Sequence, residues 1–409
     1  MAAVDAQFYW MSAKVPNDEF LLYVFDGEPA DLDDVLEQVR RRAADCPDWA
    51  TRVQDGCAIR YPRWVPAAIG PEWLVRHELT DGSWRGCLNA VSVLADSQLD
   101  QCAMPWRLHV FTSVRDIPSL NGPGTVVVLQ AAHALGDGRR LSAMTAWLLG
   151  RQTLAPQVPR SRSGLRPWRA VHAVQTYRQL VADTEAGLLP MGVGSRPPLA
   201  TNTRPQGVRS LRTLVRRRSE LPCATVTVGA LAAVSTALAE LIGANAESLA
   251  AEVPMAKPGA PLGYNHFGNV AVGLYPYLGR TERMQRIATD LANARLRMAH
   301  PAGRAGDRAF ATVPAALLRW GVSQFDVDVR PAQVTGNTVV SSVHRGAADL
   351  SFGGAPVVFT AGYPSLSPAM GLTHGVHGIG DTIAISVHAA ESAVPDVDHY
   401  LRLLDAALK

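Results

Sequence analysis

Apolar positions along residues 1–150 recur at two spacings, one that suits strands and one that suits helices. The run Phe20–Phe25, closed by Asp26-Gly27, predicts a strand and a turn. Leu32, Val35, Leu36 and Val39 then repeat on one helical face, with Asp31 where a cap would accept a backbone N–H. Val53–Tyr61 and Leu74–Glu78 predict short strands between proline-containing loops, and Trp106–Thr112 alternates as a strand does. Thr125–Gln130 is a β-branched apolar run expected in the middle of a sheet. After Gly138 the period lengthens again, and Leu141, Met144, Trp147 and Leu148 predict a helix.

From about Gln152 to Gly207 the chain turns to Arg, Pro, Ser and Gly, broken by one expected helix from Trp168 to Glu185. The second half returns to a mixed pattern. Helices are expected at Val228–Ile242, Met284–Met298 and Val313–Trp320, with strands at Leu249–Val253 and Asn269–Leu274. Short strands follow at Val339–Val343, Pro356–Thr360, Leu372–Val376 and Thr382–His388, and Pro395-Asp396 opens a last helix ending at Leu408. A chain of 409 residues exceeds what one core organises, so the expected division is a lobe at 1–151, a connection at 152–207 and a lobe at 208–409. Alternating strands and helices make the expected class α/β. No repeat of short period appears, which argues against solenoids.

Composition narrows the class further. With 47% hydrophobic and 18% charged residues the chain can bury large cores and carries no signature of disorder. A net charge of +3 is too mild for nucleic-acid binding. The basic excess gathers at Arg204, Arg209, Arg212 and Arg216–Arg218, where it either attracts a phosphorylated cofactor, an acidic carrier protein or an anionic membrane, or forms a solvated face. Cys46, Cys57, Cys87, Cys102 and Cys223 are odd in number and show no close metal-ligand pair, so reduced thiols are expected. Met1–Ala6 has no basic segment before an apolar one, which predicts a protein that stays inside the cell. Leu221–Ala239 is uncharged and long enough to span a bilayer. Its wealth of Ala, Thr and Ser and its break at Glu240 predict a buried helix instead.

The segment from Val126 to Gly138, VVVLQAAHALGDG, holds the main candidate chemistry. A buried strand delivers His133 at its end, and a helix leaves from Asp137-Gly138, which presents the imidazole at the mouth of a crevice. Imidazole titrates near neutrality, so His133 suits a general base; a structural role is equally consistent with this local pattern. Asp137 serves the turn, through backbone N–H groups or an arginine. His374 and His377 are spaced like a metal pair, but with only Asp381 nearby a metal is not expected. Ser341, Ser342 and Ser386 lie in no Gly-x-Ser-x-Gly elbow, and no phosphate-binding or dinucleotide fingerprint is present. His109 alternates with apolar neighbours and is expected to be packed or exposed without a chemical role.

The same segment resembles the His-His-x-x-x-Asp-Gly signature of the wax ester synthase/diacylglycerol acyltransferase (WS/DGAT) family, within the wider coenzyme-A-dependent acyltransferase and condensation-domain superfamily. The likeness extends along the chain in order. Val4–Phe8 resembles the family's opening Leu-Asp-Ala-x-Phe, and Leu99-Asp100 with Met104–His109 is similar to its Leu-Asp and Pro-Leu-Trp stretch. Val253-Pro254, Gly268-Asn269, Gly353–Ala355, Gly371-Leu372 and Val394–Asp396 resemble later family stretches. Two departures stand out: Ala132 replaces the first histidine, and Thr227-Val228 replaces an Asn-Asp pair.

The resemblance implies an α/β fold of two chloramphenicol-acetyltransferase-like lobes in a pseudo-dimer, with a tunnel along their interface and His133 near its midpoint. It implies an O-acyltransferase, with a coenzyme A thioester as co-substrate, or an acyl carrier protein as donor, and a lipid-like or secondary-metabolite alcohol as acceptor. His133, Asp137 and Gly138 are then the catalytic set, and Asn269, Gly268 and Trp106 the substrate-binding set. Asn269 or backbone N–H groups near Gly138 would face the oxyanion, and Trp106, Trp147 and Phe267 would narrow the tunnel. No bound cofactor, metal or nucleic acid is implied; the expected location is the cytoplasm, with peripheral contact at the inner membrane face. The two departures motivate an alternative, a degenerate scaffold that binds acyl chains or a carrier protein without turnover. A condensation-type amide former is the third reading.

Overall fold

The computed structural model describes residues 1–153, 157–158, 166–243 and 248–409, so the expected connection at 152–207 lies partly outside the described residues. The first elements are α1 (Ala3–Ser12), β1 (Glu19–Asp26), α2 (Leu32–Asp45), β2 (Thr51–Gln54), β3 (Arg63–Pro66), β4 (Leu74–His77) and α3 (Trp84–Leu94). There follow β5 (Trp106–Val114), β6 (Gly124–Ala131), α4 (Gly138–Leu148), α5 (Pro167–Glu185), β7 (Arg209–Arg217), α6 (Val226–Ile242), β8 (Ala250–Ala256) and β9 (Phe267–Gly273). The rest comprises α7 (Arg280–Ala299), α8 (Pro301–Phe310), α9 (Ala315–Ser323), β10 (Thr338–His344), β11 (Ser351–Phe352), β12 (Ala355–Gly362), β13 (Leu372–Ile379), β14 (Thr382–Ala390) and α10 (Val397–Leu408).

Two six-stranded sheets organise these elements, in the orders β11-β12-β1-β6-β5-β4 and β7-β14-β13-β10-β8-β9, and β2 and β3 form a separate hairpin. β6 and β13 are buried along their whole length, as their β-branched and glycine-rich sequences require in a sheet covered on both faces. Sheet membership does not follow the expected boundary. After β10 the chain leaves the second sheet, adds β11 and β12 to the edge of β1 with Leu21 opposite Gly362, and returns as β13. Gly353 and Gly354, with φ of 58° and 87°, make the two-residue turn between β11 and β12, a conformation that side chains resist. Where β12 meets β13 the backbones nearly touch: a Cβ on Gly375 would lie 2.0 Å from the Gly362 carbonyl oxygen, so only glycine permits this junction.

Most predicted elements stand within a few residues of their expected limits, and Asp31 caps α2 by accepting from the Asp34 N–H. Six were not predicted. α1, α3 and α8 are short helices, β3 and β11 are short strands, and β7 was hidden because its arginines read as surface charge. The expected strand Val53–Tyr61 ends at Gln54, since only Thr51–Gln54 finds a partner, in β3, before Asp55-Gly56 turns the chain.

Most of the basic cluster is spent on internal pairing. Arg209 bonds Asp96 at 2.7 Å, Arg212 bonds Asp398 at 2.7 Å, Arg216 pairs with Asp405, Arg204 pairs with Asp328, and Arg218 donates to the Leu221 carbonyl at 3.0 Å. Leu221–Ala239 contributes most of α6, whose Leu231, Val234 and Leu238 are fully buried in the second lobe's core. Each such side chain contributes about 1.5–3 kcal/mol by leaving water. Among the described residues no helix is long and apolar enough to cross a membrane.

Candidate active site

A cavity of about 660 Å³ lies between the two sheets. Glu19, Phe20 and Leu21 of β1, His133 and Gly138 wall one side, while Val253–Ala256, Phe267, Asn269, Ser341 and Ser342 wall the other. β6 ends at Ala131, extended Ala132 follows, and His133–Leu135 form a single tight turn before Asp137 caps α4. That sequence of strand, turn and capped helix is what carries the imidazole out of the sheet.

His133 is held from three directions. The Phe8 ring stacks on it with centroids 4.0 Å apart and planes 13° apart, and Phe267 lies 5.7 Å away at 19°. Its Nε2 stands 3.4 Å from Glu19 Oε1, and its Nδ1 is buried with no hydrogen-bond partner among the described residues. Its carbonyl accepts from Asn265 Nδ2 at 2.9 Å. Glu19 is half-buried, and desolvation raises its carboxyl above the ordinary range while the His133 charge opposes that rise.

Behind the histidine, two carboxylates join the lobes. Asp5, fully buried on α1, accepts from the N–H groups of Tyr264 and Asn265 and from Asn265 Nδ2, each at 3.0 Å. Burial lifts its carboxyl to about 6 against the pull of these donors. Asp137 Oδ1 accepts from the Arg140 N–H at 2.9 Å, and its Oδ2 from the His266 N–H at 3.0 Å. Asp137 therefore acts through the backbone of both lobes. Asp137→Ala should lower stability by about 2 kcal/mol, from a lost cap and an unpaired N–H. Urea melts would measure this, and an unchanged midpoint would contradict it.

The other expected site residues divide. Asn269 lines the cavity, but its amide donates to Glu252 Oε1 at 2.5 Å. Gly268 sits in β9 opposite Met255 and is not among the residues lining the cavity. Trp106 lies elsewhere: it is fully buried in the first lobe's core, edge-on to Trp49 and Trp73, with Nε1 donating to the Trp49 carbonyl at 2.9 Å. Trp147 packs against that same core, whereas Phe267 does wall the cavity. Trp106→Phe should accordingly cost about 1–2 kcal/mol of stability and leave substrate KM values within about twofold. A large rise in KM with unchanged stability would contradict this placement.

At the departures from the family pattern, Ala132 is buried, Val228 packs in the second core, and the Thr227 hydroxyl faces the cavity 2.9 Å from that of Ser342. Among the described residues no group of His, Cys, Asp or Glu could hold a metal. His374 bonds Thr338 and Tyr400 in the core, where burial lowers it to about 4. His109 is likewise packed, bonded to His77 and Gln130, and lowered to about 3 by burial. His377 instead reaches the cavity wall.

Glu19 and Asn265 were not singled out from the sequence, and Phe8 was noted only as the end of a family-like stretch, with no role. Glu19 opens an apolar run more than a hundred residues from His133 along the chain, and only the pairing of β1 with β6 brings the two together.

Two sheets facing each other across a cavity that holds a strand-end histidine define the two-lobed α/β fold of WS/DGAT and condensation domains. Residues 265–409 match the family model described as the WS/DGAT C-terminal domain. The structure is similar to that of the wax ester synthase/diacylglycerol acyltransferase from Marinobacter aquaeolei VT8, at a TM-score of 0.64 and 17% identity over 99% of this chain and 96% of that one. It is also similar to a starter condensation domain variant of rhizomide synthetase RzmA, solved in complex with C8-CoA and Leu-SNAC: TM-score 0.60, 13% identity, 100% and 93% covered. The condensation domain of Monacolin K polyketide synthase MokA matches at a TM-score of 0.53 and 12% identity, with 100% and 95% covered. No curated protein matches the sequence.

Proposed function

We propose that this protein is an O-acyltransferase that moves an acyl group from a coenzyme A or carrier-bound thioester to a hydroxyl of a lipid-like or secondary-metabolite acceptor. The observation that carries this reading is the position of His133 Nε2, on the wall of a cavity shared by two lobes, 3.4 Å from a half-buried carboxylate. The acceptor hydroxyl gives its proton to Nε2 as its oxygen attacks the thioester carbonyl. Glu19 stabilises the imidazolium that forms. When the C–S bond breaks, the same proton passes to the leaving thiolate, so no covalent enzyme intermediate is needed.

Because Asn269 is engaged by Glu252, the Ser342–Thr227 hydroxyl pair and the backbone near Gly138 are the better donors for the oxyanion. Exposed Arg139 and Arg295, one from each side of the cavity, suit the phosphates of coenzyme A at the rim. The RzmA domain was solved with C8-CoA, which accords with that donor.

An amide-forming reading draws on the Leu-SNAC in the same RzmA structure. The test is to incubate purified protein with a panel of acyl-CoA donors and competing alcohol and amine acceptors, following free thiol. Thiol release that needs both an alcohol and His133 supports the proposal. Release with amines alone favours amide formation, and silence across the panel favours a carrier-bound donor or a scaffold that binds without turnover.

A further inference from the structure

We propose that Arg345 anchors a carboxylate on the acyl acceptor, making the acceptor a hydroxy acid. This inference deepens the acyl-transfer reading and rests on it. Arg345 follows β10 and lines the cavity at 5% exposure. Its Nη1 is engaged by neutral oxygens only, the Thr360 hydroxyl and the carbonyls of Ala361 (3.0 Å) and Leu22 (3.4 Å). Its Nε is buried without a hydrogen-bond partner, its Cζ lies 5.1 Å from the Tyr23 ring centroid, and the Glu19 charge acts on it with no direct ion pair among the described residues. A buried guanidinium that lacks a direct counter-ion is costly unless a ligand completes its pairing.

His377 marks the same spot. It lines the cavity at 6% exposure with its Nδ1 unpaired. A Cβ on Gly362, also on the cavity wall, would lie 2.9 Å from Arg345 Nη2 and 2.7 Å from His377 Cε1, so the two side chains converge there. Burial and the neighbouring guanidinium keep His377 neutral, leaving it one N–H to offer.

One guanidinium beside a neutral imidazole matches a singly charged group. A carboxylate takes two N–H donors from an arginine fork, whereas a phosphate dianion would call for more positive charge than one guanidinium supplies. The donor's phosphates have the exposed rim arginines, so the buried anchor falls to the acceptor.

Calorimetric titration without any acyl donor tests this independently of turnover. Aliphatic hydroxy acids of four to ten carbons are compared with their methyl esters on the unaltered protein. At least one acid is expected to bind about tenfold or more tighter than its ester, a preference lost in Arg345→Gln and partly kept in Arg345→Lys. Equal binding of every acid and ester, or no saturable acid, overturns the inference. Should the variants unfold, the acid–ester comparison on the unaltered protein decides alone. Thiol release with neutral alcohols but no acid preference would leave acyl transfer standing and remove the anchor; acid preference without thiol release would do the reverse.

Discussion

His133→Ala is expected to lower acceptor-dependent thiol release by roughly 10²–10⁴-fold while leaving the protein folded, because a positioned general base contributes about that much. The side chain lies on a cavity wall, stacked against Phe8, and supports no backbone group; its own carbonyl, which Asn265 holds, survives the substitution. Glu19→Gln tests the second half of the pair. The imidazolium formed in the transition state would lose a carboxylate 3.4 Å away, and a loss of roughly tenfold to a hundredfold in kcat is expected, with little change in donor KM. Rates of the two single variants and the double variant at several pH values would check this. Unchanged turnover in His133→Ala would end the base assignment.

The second large effect lies behind the site. Asp5→Ala strips the shared acceptor from three N–H donors at a junction between α1 and the loop before β9, at a cost of roughly 3 kcal/mol. The loss should depend on pH. The folded-state carboxyl, lifted to about 6, lies above its ordinary value near 4, so between about pH 4 and pH 6 the folded chain holds a proton that the unfolded chain has released. This residue's contribution to stability is therefore greatest below that window and falls as pH rises through it, by about 2 kcal/mol between pH 4.5 and pH 7. Asp5→Ala should be more destabilising at pH 4.5 than at pH 7. Urea melts at both values read it, and an equal loss at each would refute the assignment to Asp5. Activity should fall too, since Asn265 ties Asp5 to the His133 carbonyl.

The hydroxy-acid inference adds a constraint on these experiments. If Arg345 takes the acceptor's carboxylate, neutral alcohols should turn over poorly and acids well, so the acceptor panel needs both.

Much of this was legible in the chain itself. Apolar spacing marked β1, β5, β6, α4, α6 and α10, because a strand or helix buried on a given face must repeat at that face's period. His133 could be picked out because the strand, turn and cap around it are contiguous, and Asp137 was read as a turn residue from its place ahead of the helix. The arginines of β7 were ambiguous in sequence, since charge alone does not say whether Asp398 and Asp405 stand opposite. Trp106 misled because a tryptophan beside a family-like stretch looks the same whether it faces a tunnel or, as here, two other tryptophans.

Most of the elements and the histidine that follows β6 could be read from the chain, both encoded in neighbours a few residues apart. Long-range pairing settled which distant groups meet that histidine, Glu19 through strand pairing and Phe8 and Phe267 through stacking, and it set Arg345 on the wall of the same cavity. Local pattern follows from the period of a single element, whereas a site between two sheets depends on long-range pairing that no short window of sequence contains.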